Sequence, residues 1–186
     1  MDNSGKGGKG LLNREDSIVV VIDMQERLLP AVNQPQRLIA NLKRLLAAAR
    51  IMAVPVIITE QEKLGPTISE IAEGMPDFSP ISKLVFNCFS SEPFAEKVRK
   101  TGRNSLIIAG VEAHICVTQT ALWAHPDFRV HVLSDGISSR SPDNISVAVE
   151  RMRASGVTIT STEMAIYELL QTAGTEEFRA VLPFVK

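Results

Sequence analysis

The chain has 186 residues, is 45% hydrophobic, and carries 20 basic against 21 acidic side chains for a net charge of -1. This length suits one domain with a substantial core, and so balanced a charge gives none of the basic field that nucleic acid or anionic lipid requires. Two cysteines, Cys88 and Cys116, are too few for a disulfide framework, although they could in principle pair, and no apolar run approaches the ~20 residues of a membrane span.

Residues 1–14 read as a flexible tail before a single domain over 15–186. The tail lacks the apolar stretch of a signal peptide, and the absence of a disulfide framework makes a cytoplasmic address the expectation. The run from Gly5 to Gly10 superficially imitates a phosphate-binding loop, but no strand precedes it and no Lys-Ser or Lys-Thr pair closes it.

The unbroken β-branched run Ser17 to Ile22 is expected to be a strand buried on both faces. Leu38, Leu42, Leu45, Leu46, Ala49 and Met52 recur at helical spacing, and Val54-Pro55 ends that helix before a second strand at Val56 to Thr59. Pro66 to Gly74 reads as a short helix and loop, Ile81 to Phe86 as a third strand, and Pro93 to Thr101 as a helix. Ser105 to Ala109 is the fourth strand, followed by a helix over Ile115 to Ala124 that closes near Pro126. Arg129 to Leu133 is the fifth strand, Pro142 to Ser155 a helix ending at Gly156, and Val157 to Thr160 the sixth strand. Helices at Glu163 to Thr172 and Thr175 to Val181 complete the chain.

Strands alternating with helices call for right-handed crossovers. The expected fold is therefore three-layer α/β/α, doubly wound, with a six-stranded, mostly parallel sheet. Such sheets bind ligands outside the carboxyl ends of their strands, where strand order reverses. With two halves of three strands, that point lies between the first and fourth. Asp23 leaves strand one there, and the segment Gly110 to Cys116 leaves strand four.

Cys116 falls in the first turn of its helix, where free N–H groups and the helix dipole favour an anion; the bland alternative is a small buried hydrophobe. Asp23 follows five apolar residues, so it is expected to be buried and to need a partner; otherwise it caps the next segment. Lys83 has apolar neighbours two positions away, yet could equally be an edge-strand charge facing water.

Taken together, these pieces resemble the isochorismatase-like cysteine hydrolase family. The resemblance rests on Val21-Ile22-Asp23-Met24-Gln25, on Lys83 before Leu84-Val85-Phe86, and on Ile108 to Val117 around Gly110-Val111-Glu112-Ala113-His114-Ile115-Cys116. Asp135 and Ser138-Ser139-Arg140 also resemble the family's fifth-strand exit, and the Glu-Ala-His loop is most similar to the isochorismatase-domain-containing subgroup. The likeness spans about Ser17 to Leu170.

The resemblance implies a triad of Cys116, Asp23 and Lys83. It also implies a cis peptide at Val111–Glu112, turning N–H groups near Glu112 toward an oxyanion. Lys83 would then favour a Cys116 thiolate near neutral pH and Asp23 would act as general base, while Cys88 stays an ordinary structural thiol. Gln25 either contacts substrate or caps its loop. Nicotinamidases of the family bind a metal through an Asp-x-His pair after the second strand. This chain has Thr59-Glu60-Gln61-Glu62 there, so no metal and no other cofactor is expected. A Cys–His dyad is disfavoured, since His114 is two positions from Cys116 and His131 lies mid-strand.

The favoured function is metal-independent cleavage of a small amide or related C–N bond through a thioester on Cys116. The alternatives are vinyl-ether hydrolysis of an isochorismate-like metabolite and a non-catalytic scaffold. The expected partners are a small-molecule substrate and further copies of the chain, since Leu122, Trp123 and Phe128 form an apolar group near the end of the Cys116 helix. Neither nucleic acid nor membrane is expected.

Overall fold

The computed structural model describes residues 10–75 and 77–186. Residues 1–9, with most of the expected tail and the glycine-rich run, lie outside the described residues. The end of that tail is packed: Leu12 is buried, its N–H donates to Glu168 at 2.9 Å, and Arg14 pairs with Glu177.

Six strands form one sheet: β1 (Ser17–Ile22), β2 (Val56–Gln61), β3 (Ile81–Lys83), β4 (Ser105–Val111), β5 (Arg129–Ser138) and β6 (Thr158–Thr160), in the order β3-β2-β1-β4-β5-β6. Every pairing between them is parallel. The central strand β1 is buried on both faces, and successive residues serve opposite layers because side chains alternate along a strand. Val19 and Val21 pack with α1 (Pro35–Ile51), α6 (Thr162–Leu170) and α7 (Glu176–Val185) through Leu42, Ile166 and Val181. Ile18, Val20 and Ile22 pack with α3 (Glu92–Lys100), α4 (Thr118–Ala124) and α5 (Pro142–Ala154) through Phe94, Ala121 and Met152. Each such buried Leu, Ile or Phe contributes roughly 1.5–3 kcal/mol of transfer free energy. The short α2 (Ser69–Ala72) lies between β2 and β3 in sequence.

Three departures from the sequence reading bear on the site. β3 stops at Lys83, because the next carbonyls turn to side chains: Leu84 O accepts from Gln61 Nε2 and Val85 O from Lys83 Nζ. β5 continues to Ser138 through an irregularity opposite Ala109, where Asp135 Oδ1 accepts from Thr162 N and Oγ1. The helix carrying Cys116 starts two residues early, with a wide π turn over Ala113–Val117 ahead of α4.

Gly110 of β4 lies beside Ile22 of β1. Its φ is 114°, and a Cβ there would lie 2.1 Å from Ile22 O. Only glycine permits that approach.

Candidate active site

The observed strand order places β1 beside β4, with the β1–β2 and β4–β5 connections leaving toward opposite edges. The crevice at their carboxyl ends is therefore the one expected for ligand binding. Asp23 is the first residue beyond β1 and has a φ of 52°, uncommon outside glycine. Its N–H donates to Thr59 O at 3.1 Å and its carbonyl accepts from Gln25 N at 2.8 Å. This tight turn aims a fully buried carboxylate across the sheet edge.

Thr59 and Lys83 hold the carboxylate. Oδ1 accepts from Thr59 Oγ1 and Oδ2 from Lys83 Nζ, both at 2.8 Å. The same ammonium donates to Gln61 Oε1 at 2.9 Å and to Val85 O at 3.3 Å, and it lies 3.8 Å from Cys116 Sγ. Lys83 is only 3% exposed, which overturns the reading of an edge charge facing water. Parallel register explains the convergence. Thr59 stands beside Ile22, the residue before Asp23, Gln61 beside Lys83, and Thr59 and Gln61 share one face of β2.

Cys116 is 6% exposed. Its turn is wound so that Ile115 N–H reaches Glu112 O at 3.0 Å and Val117 N–H reaches the same oxygen at 3.3 Å. The Val111–Glu112 peptide is cis.

Burial and the adjacent Asp23 carboxylate push the Cys116 thiol up to about 12, against the opposing pull of Lys83. The expected thiolate near neutral pH is thus corrected, because one ammonium and a helix start do not outweigh desolvation plus a neighbouring anion. Burial also works against the Lys83 charge, but Asp23 and the two thiols together raise it above an ordinary lysine. The resting site is therefore a neutral thiol beside an ion pair. Cys88 is buried and free, pushed up to about 11 mainly by burial, with Lys83 opposing. Its N–H donates to Thr120 Oγ1 at 3.0 Å.

Gln25 is buried and engaged within the protein. Its Nε2 donates to Gln61 O and Gly65 O, and its Oε1 accepts from Gln61 N. These are the contacts expected of the loop cap. In the segment where nicotinamidases carry their metal pair, Glu60 Oε1 instead accepts from Thr67 N and Oγ1 at 2.7 Å. Among the described residues, no group of three His, Cys, Asp or Glu side chains stands close enough to hold a metal ion. His114 Nδ1 meets Ser139 Oγ at 2.9 Å. His131 is buried in β5, with no partner for Nδ1 among the described residues. Sequence reasoning missed Thr59 and Gln61. Their only signal was two polar residues at strand period, at the end of an apolar run.

The isochorismatase domain family matches residues 17–164. The chain belongs to that family. Among its relatives, the secreted isochorismatase effector Isc1 of Phytophthora sojae (strain P6497) is 36% identical over 95% of this chain and 88% of its own length. Isochorismatase domain-containing protein 2A of Mus musculus is 33% identical over 98% of this chain and 89% of its own. Solved structures are equally close in shape. The MAR1 ribonuclease from Caenorhabditis elegans has a TM-score of 0.87 at 31% identity, covering 94% of this chain and 92% of its own. YcaC from Pseudomonas aeruginosa, solved with hexane-2,5-diol and covalent acrylamide, has 0.87 at 30%, covering 94% and 91%. The YcaC gene product of Escherichia coli, an octameric hydrolase of unknown specificity, has 0.84 at 27%, covering 94% and 87%. No described helix is long and apolar enough to cross a membrane. One relative is secreted, so family membership does not fix the expected cytoplasmic address.

Proposed function

We propose that this isochorismatase-family chain is a cysteine hydrolase that needs no metal and cleaves a small amide or related C–N bond through a thioester on Cys116. The observation that carries this reading is the buried convergence of Asp23, Lys83 and Cys116, with Lys83 Nζ 2.8 Å from the carboxylate and 3.8 Å from the sulfur. A buried ion pair beside a thiol is costly to assemble and has an evident use in proton transfer.

Because the resting sulfur is protonated, its proton leaves as the attack begins. Asp23 accepts it, and the fixed ammonium of Lys83 offsets the negative charge that then resides on the site. Sγ bonds to the carbonyl carbon, and the oxyanion is held by the N–H groups at the start of the Cys116 turn, near Glu112. Asp23 returns the proton to the departing amine, which leaves the thioester. It then takes a proton from water as that water attacks the thioester, and passes it to Sγ as the acid departs, which restores the Cys116 thiol. Positioned general base catalysis of this kind typically contributes 10²–10⁴-fold.

The covalent acrylamide on the related YcaC protein supports the reading, since acrylamide is an electrophile of the kind thiols add to. The kinship with a protein described as a ribonuclease has less support here, because a net charge of -1 gives little attraction for a polyanion. The test is to incubate the protein with a panel of small amides and with isochorismate, quench, and weigh Cys116-containing peptides. An acyl adduct on Cys116 that decays with product release is the expected result. Turnover of isochorismate alone without an adduct means vinyl-ether cleavage. Inertness toward the whole panel, with Cys116 unreactive, means a scaffold.

A further inference from the structure

The loop after β5 grips the turn that carries Cys116 at two points, and the mechanism above uses neither. Arg140 donates its N–H to Glu112 Oε2 at 3.0 Å and its Nε to both Glu112 oxygens at 3.2 Å. One residue earlier, Ser139 Oγ meets His114 Nδ1 at 2.9 Å. The loop is itself tied to the segment that follows Asp23. Asn33 N–H donates to Ser139 O at 2.9 Å, and Ser138 Oγ donates to Asn33 O at 2.6 Å. Hydrogen bonds thus join the segment at Asn33 to the turn that carries Cys116.

Glu112 is the centre of this set. Its side chain takes Arg140, while its carbonyl accepts from Ile115 and Val117, the two residues that flank Cys116. An ion pair in open water contributes little. Here the Glu112 side chain is only 6% exposed although Arg140 is largely exposed, and a buried carboxylate must be satisfied by nearby donors. Arg140 meets that need from both its backbone and its side chain, which fixes the residue whose carbonyl winds the turn.

We propose that Glu112 is a positioning residue for Cys116, held in place by Arg140. The inference rests on the reading of Cys116 as the nucleophile. Glu112 acts through the placement of Sγ relative to Asp23 and Lys83 and touches no reacting atom. Misplacement of a reacting group by about 1 Å costs on the order of a hundredfold in rate.

The probe is iodoacetamide on the folded protein well below its melting temperature, with Cys116 and Cys88 adducts resolved by mass, alongside kcat and KM for whichever amide the panel yields. Glu112→Gln and Arg140→Ala are each expected to slow Cys116 alkylation about tenfold or more and to lower kcat by a similar factor with KM unchanged. The double variant should lose no more than the worse single variant, because the two residues act as a unit. Arg140→Lys should recover part of the loss. If Glu112→Gln does not fold, Arg140→Ala alone still carries the test, since its side chain lies mostly in solvent. Wild-type alkylation and kcat in the folded variants, or losses that multiply in the double variant, overturn the proposal. Should no amide of the panel leave an acyl adduct on wild-type Cys116, the nucleophile reading itself fails and this inference falls with it.

Discussion

Lys83 is the side chain on which the buried polar cluster depends. Without its ammonium, Asp23 loses the cation that offsets its charge, and an uncompensated buried charge costs about 3–5 kcal/mol. Lys83→Met should therefore lower the urea midpoint and raise the pH needed to alkylate Cys116, since Lys83 is the group that opposes burial and Asp23 there. It also opposes burial at Cys88, so that thiol should rise as well. A Cys116 alkylation profile identical to wild type would refute the triad. The same shifts set a pH dependence for folding. Both thiols titrate higher in the fold than their ordinary 9.0, at about 12 and about 11, and Lys83 lies above its ordinary 10.5. A group whose folded pKa is raised contributes stability that is complete below the unfolded pKa and is lost as pH climbs through the folded one. Melting temperature should accordingly fall as pH rises from about 9 toward 12, and Cys88→Ala should make that fall shallower. A melting temperature constant across the window would contradict these environments.

At the scale of single elements, Gly110 of β4 leaves no room for a side chain against Ile22 of β1. A methyl group there would lie 2.1 Å from Ile22 O, on a residue whose φ is 114°. Gly110→Ala should destabilise the protein by about 3 kcal/mol or more, read as a shift in urea midpoint, and should displace Asp23 with the strand it follows. An unchanged midpoint would show that the strands can part without penalty. Elements also decide what the sequence could reveal. β1 was legible because a run of β-branched residues has few other uses, and Asp23 was legible as the polar residue that ends it. Lys83 was legible only through the family resemblance, because a strand of three residues at a sheet edge has no period to read and its partner lies sixty positions away. Thr59 and Gln61 stayed hidden for a related reason: their roles follow from register against β1 and β3, which no local pattern encodes. The extension of β5 was masked by Ser134-Asp135-Gly136, a turn-like run that the fold absorbs as an irregularity. The protonation of Cys116 was misjudged because it depends on how completely three charges are removed from water together.

For the whole molecule, the apolar group expected near the end of the Cys116 helix divides in two. Leu122 and Phe128 pack against the core, while Trp123 is half-exposed and stacks on Phe89 at 4.6 Å. Phe86 and Leu84, beyond β3, are exposed as well. Exposed apolar side chains of this size are the kind that contact with further copies would cover. Light scattering at micromolar concentration should give a mass above the 20.3 kDa of one chain, and Trp123→Glu should reduce it. A monomeric mass in the wild type would rule this out. The order of the sheet also bears on time. The residues of the candidate site come from the ends of β1, β2 and β3 and from the turn after β4, and they meet only once those four strands lie in register. Local helices form far sooner than such distant pairings close. During refolding, then, the helical signal should recover while the protein is still inert, and turnover should return with the last strand to dock.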